Sequence, residues 1–355
     1  MLLSMQEDLS RRAFLRKSVE FTAGIGATML MPCFPGTTVQ ALEMPKGTKW
    51  AEGVRKLHDA ARDEPNEYEA TFVGDRENGE WVHALEGKHA SVPSSPVQMA
   101  RVALHKGNPA QLIHGAVFDH THPESTVKAI SAKRAGRPAE SIDQYTLDFL
   151  ATPAGGDLGF AINGAKTIRK YFELSGHAYG PLEFASVAAR GRWVVREIAW
   201  NADSIAKHPD TYARYKSQEE KRISTYDAAK GLITAWLSKI PEAVEKIFSE
   251  SLQEWKDVAH TTEQRVDVLT HLMLLGRSTC KAIRELTERQ DAPNFLQQLF
   301  REYSRSAVSA ATIEFRRTEL SEGVLKGVLT SDEATTAYKE FLRDTAYAEL
   351  EWEPA

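Results

Sequence analysis

The chain has 355 residues, 42% of them hydrophobic, with 44 Lys and Arg against 49 Asp and Glu and a formal net charge of −5. That slightly acidic balance, with no basic block, argues against nucleic acid as a partner. Two cysteines, Cys33 and Cys280, cannot build a multi-cysteine metal site.

The first feature in chain order is Ser10-Arg11-Arg12-Ala13-Phe14-Leu15-Arg16-Lys17. A Gly- and Ala-rich apolar segment follows from Val19 to about Phe34, too short and too rich in glycine for a good membrane span. Val39-Gln40-Ala41 then supplies a plausible peptidase site. Together these residues resemble a twin-arginine export signal. The resemblance implies that residues 1–41 are a signal peptide and that the twin-arginine translocase is a transient partner. The mature protein would then start near Leu42, already folded on export, in the periplasm or outside the cell. Pro32 ahead of Cys33 makes a poor lipoprotein box, and Cys280 is left without a partner in the mature chain.

Residues 42–202 mix short apolar runs with Gly and Pro. Lys46 to Arg62 reads as a helix with Trp50, Val54, Leu57 and Ala61 on one face. Glu67 to Val73 and Trp81 to Leu85 read as a hairpin around Glu77-Asn78-Gly79-Glu80. Ser95 to His105 reads as a helix, and Gln111 to Phe118 as an apolar strand. Pro153-Ala154-Gly155-Gly156-Asp157 is a turn opening a helix that runs to about Leu174. Leu182 to Val187 and Trp193 to Ile198 form a second hairpin about Arg190-Gly191.

Residues 203–355 read as helix only. Thr225 to Leu237 carries a helical stripe, and Pro241 suits a first turn. Thr261 with Gln264, and Thr330 with Glu333, have capping-box spacing. The expected fold is therefore α+β: a mixed sheet flanked by helices, followed by an all-α domain.

The chemistry concentrates in Ala116 to Ser125, AVFDHTHPES. On a strand, His120 and His122 project to the same side, as two imidazoles sharing an ion must. A hydrolytic zinc site needs about three protein ligands and a nearby general base. Asp157 at its helix start is one candidate third ligand, although an aspartate there also serves as a plain helix cap. Asp143 is its rival. Glu67 and Glu69, two apart on one strand, are the candidate bases.

Glu67, His120-Thr121-His122-Pro123 and Pro153 to Asp157 occur in an order that resembles the JAMM (JAB/MPN) metalloprotease domain. That family carries a strand glutamate, then H-x-H-P, then P-S-x-x-D opening a helix. The resemblance implies a JAMM/cytidine-deaminase-like sheet over residues 42–202, with Zn²⁺ held by His120, His122 and Asp157. It implies Glu67 as the base, placed at the opening of its strand, and a peptide or protein substrate. Two features depart from the pattern. Ala154 stands where the family has a serine that helps stabilise the tetrahedral intermediate, and Glu124 to Thr152 is an unusually long insertion. Two other readings stand beside the hydrolase: a catalytically degenerate JAMM-like binding or scaffold protein, and an amidohydrolase or PHP-type barrel sharing the H-x-H strand end.

Overall fold

The computed structural model describes residues 44, 47–87, 94–136, 138–275, 281–296 and 310–355. The proposed signal peptide at 1–41, with Arg11, Arg12 and Cys33, lies outside the described residues, as does Cys280.

Helix α1 (Trp50–Asp63) leads into strand β1 (Tyr68–Val73) and its hairpin partner β2 (Glu80–Glu86). Helix α2 (Pro96–His105) is capped by Ser95, which exchanges hydrogen bonds with Gln98. The run expected as a strand from Gln111 begins as a 3-10 turn over Pro109–His114. Asn108 caps that turn and Gly115, at φ 125°, ends it, so β3 is confined to Ala116–Thr121. The long insertion is folded: it forms α3 (Glu124–Ala135), a short 3-10 turn and α4 (Gln144–Leu150). Helix α5 (Gly155–Ser175) precedes the hairpin β4 (Leu182–Ala188) and β5 (Gly191–Glu197).

Seven further helices follow among the described residues: α6 (Ala202–Lys207), α7 (Pro209–Leu237), α8 (Pro241–Glu250), α9 (Thr262–Leu274), α10 (Lys281–Thr287), α11 (Ala310–Leu325) and α12 (Ser331–Thr345). Both capping boxes expected here are formed, at Thr261 and Thr330. The reading of 203–355 as helix only is corrected at its end. Ala348–Pro354 is a strand, β6, because Ala348, Leu350 and Trp352 alternate with Glu349, Glu351 and Glu353.

The fold is α+β around one mixed sheet of order β2-β1-β3-β4-β5-β6. β3 and β4 run parallel and every other neighbouring pair is antiparallel. Leu57 and Ala60 of α1 pack with Ala70, Phe72, Val117 and Val187 on one face. Phe118, Phe184, Trp193 and Leu350 on the other face join α2, α5 and the C-terminal helices in a single apolar cluster. That cluster does not break at the expected 202/203 boundary. On the α1 face Arg192 is 1% exposed and reaches Asp119 at 2.7 Å, Glu183 at 3.1 Å and Glu353 at 2.8 Å. This buried charge cluster ties β6 to β3, one residue from His120.

Candidate metal centre

Successive side chains of β3 alternate between the two faces. Phe118 and His120 therefore point towards α5, while Val117 and Asp119 point towards α1. His122 follows just past the strand end, where its N–H bonds the carbonyl of Val187 on β4 at 2.8 Å. The α5 N-terminus approaches from the same side and carries Asp157 in its first turn.

These three residues meet. His120 Nε2 lies 3.0 Å from His122 Nε2 and 3.6 Å from Asp157 Oδ1, and His122 Nε2 lies 3.4 Å from Asp157 Oδ2. His120, His122 and Asp157 are the one group of metal-ligating side chains among the described residues, with all ligand atoms within 4.8 Å of one another. Donors around a tetrahedral zinc, each at ~2.05 Å, stand about 3.3 Å apart. The three measured separations bracket that value, so the residues fit such an ion.

Backbone groups orient the donors. His122 Nδ1–H donates to the Ala151 carbonyl at 2.9 Å, which fixes the tautomer and leaves the Nε2 lone pair facing the cluster. The Ala154 N–H donates to Asp157 Oδ2 at 2.7 Å. Asp157 is thus a helix cap and a member of the cluster at once. Burial alone would raise its carboxyl, yet His120 and His122 hold it well below the usual carboxylate range. Burial works against a charged His120, but Asp157, Glu67 and Asp119 outweigh it and bring the imidazole up to about 9.

The two glutamates separate clearly. Glu67 sits one residue before β1, is 9% exposed, and is electrostatically coupled to His122, His120 and Asp157. Burial raises its carboxyl above the ordinary value, and the histidines oppose that shift. Glu69 is 2% exposed and pairs with His120 across β1 and β3. Burial lifts it to about 7, against a hydrogen bond from Ser94 and the charge of His120. Asp143 is not in the cluster. It caps α4, accepting from Thr146 N at 2.9 Å and Thr146 Oγ1 at 2.7 Å, and these bonds lower its pKa.

Four residues near the centre carry no reading from sequence. Ser186 Oγ lies 3.2 Å from His120 Nε2. Its signal was a lone polar residue among Leu182, Phe184 and Ala188, alternate positions of an apolar strand. The other three come from the C-terminal helices. Glu314 Oε2 accepts from Gly155 N at 3.0 Å, and Arg317 reaches the Thr152 carbonyl at 3.0 Å and that of Leu150 at 2.5 Å. Tyr338 Oη donates to the Pro153 carbonyl at 2.8 Å. A Cβ on Gly155 would stand 2.1 Å from the Ala310 carbonyl oxygen, so only glycine lets α11 cross the start of α5 this closely. No spacing in the sequence links these residues to the site; only the tertiary fold does.

No family model, curated protein or solved structure matches the chain.

Proposed function

We propose that this protein is a zinc-dependent hydrolase of JAMM type that cleaves an amide or isopeptide bond in a peptide or protein. The observation that carries the reading is the convergence of His120, His122 and Asp157 at ligand spacing, with the buried Glu67 one residue before the strand that pairs with β3. A zinc ion held there would supply a Lewis acid that polarises the scissile carbonyl and acidifies the attacking water.

The chain's own groups do the rest. Glu67, with its carboxyl raised by burial, takes the proton from the attacking water and passes it to the leaving nitrogen. The Ala151 carbonyl and the Ala154 N–H keep His122 and Asp157 aimed at the centre. Asp143 is left to its helix, so Asp157 is the third ligand in this reading.

A second reading is favoured by Ala154, which offers no hydroxyl at the turn: a JAMM-like scaffold that binds without catalysis. The amidohydrolase or PHP-type reading finds no support in an open, mixed sheet with β2 and β6 at its edges. The export route, and with it a periplasmic or secreted location, belongs to the same proposal. It rests on the Arg11-Arg12 segment, and no helix among the described residues is long and apolar enough to cross a membrane.

Glu67→Gln separates the hydrolase from the scaffold. The amide keeps the side chain's size but cannot take up a proton at neutral pH. The variant should bind zinc as the parent does and lose on the order of 10²–10⁴-fold in hydrolysis of a generic amide or isopeptide substrate. Zinc loss would make Glu67 a ligand. Unchanged activity would remove the base and overturn the mechanism.

A further inference from the structure

The parallel register of β3 and β4 pairs His120 with Ser186, which sends both side chains to the same face of the sheet. Ser186 is 1% exposed on a face otherwise apolar along its strand. Its Oγ stands 3.2 Å from His120 Nε2. That nitrogen also faces His122 Nε2 at 3.0 Å and Asp157 Oδ1 at 3.6 Å. The hydroxyl's distance from His120 thus falls between those of the two partner ligands.

The chemistry of the contact matters more than the distance. An ion bound by His120 would take the Nε2 lone pair, and Ser186 Oγ is in contact with that same nitrogen at 3.2 Å. With an ion in place that nitrogen would be bound to the metal and would no longer share a hydrogen bond with Ser186. The buried hydroxyl would then stand beside the cation with an oxygen lone pair to offer it. We propose that Ser186 is the fourth protein group of the centre, its Oγ contacting the ion together with His120, His122 and Asp157. The inference rests on the metal-centre reading above. It returns a hydroxyl to a site that has none at Ala154, and zinc can expand to five positions, which leaves one place for the attacking water.

The test uses the full chain, stripped of metal and loaded with Co²⁺ or Zn²⁺ alone. Ser186→Cys should give a thiolate-to-cobalt charge-transfer band in the near ultraviolet that the parent protein lacks. Ser186→Ala should bind zinc more weakly, on the order of tenfold. Cobalt bound by Ser186→Cys without that band, or parental zinc affinity in Ser186→Ala, would overturn the assignment while leaving the three-residue centre intact. A parent protein that binds neither ion would overturn the centre itself, and the role of Ser186 with it.

Discussion

Tyr338 and Pro153 are joined by a buried hydrogen bond across 185 residues, the phenol donating to the carbonyl at 2.8 Å. The bond anchors the turn that delivers Asp157, and Arg317 fastens the preceding carbonyls of Leu150 and Thr152. The helical half of the chain is therefore part of how the site is built. Tyr338→Phe leaves the Pro153 carbonyl without its donor and should cost about 1–3 kcal/mol of stability. It should also weaken zinc binding on the order of tenfold, as loss of an outer-shell partner does. Chemical denaturation and a competitive metal titration on the same preparation check both, and parental values in each would show that the anchor is dispensable.

The candidate centre was legible because its three donors lie in local patterns. An H-x-H at a strand end and an aspartate in the first turn of a helix are both periodicities of a few residues. Asp157 is preferred to Asp143 from sequence only through the resemblance of its turn to the family's, and the approach of α5 to β3 then brings Asp157, and not Asp143, to the two histidines. The anchors Glu314, Arg317 and Tyr338 were not legible, because what joins them to the 150–155 turn is packing between segments more than 150 residues apart. Strand β6 is a different case. Its alternating Ala-Glu-Leu-Glu-Trp-Glu is a period-two signal in plain sight, hidden by the helices around it. Glu351 and Glu353 pair with Arg192 and Arg196 on the neighbouring strand, and Glu349 with Lys207 and Ser204.

Glu69 gives a pH signature. Its folded-state carboxyl is lifted from 4.5 to about 7, chiefly by burial, so the native state keeps a proton that the unfolded chain has released. Stability should fall as pH rises from about 4.5 to about 7, then level off. The full shift is worth at most about 3 kcal/mol. Glu69→Gln, neutral in both states, should flatten that part of the metal-free stability curve. A slope unchanged in the variant would assign the effect to other groups.

The export reading is tested apart from the fold. Replacing Arg11 and Arg12 by Lys should hold the precursor in the cytoplasm, uncleaved near Ala41. Fractionation and N-terminal sequencing of the mature species check it, and normal processing of the double variant would end the twin-arginine assignment.

His120, His122 and Asp157 are expected to hold one ion together. Metal analysis of protein purified without chelators, with single alanine variants beside it, checks this. The parent protein and Asp143→Ala should each carry one zinc per chain. His120→Ala and His122→Ala should lose the metal, and Asp157→Ala should show a sharp fall in affinity. No bound metal in the parent, or zinc retained in Asp157→Ala and lost in Asp143→Ala, would contradict a shared ion.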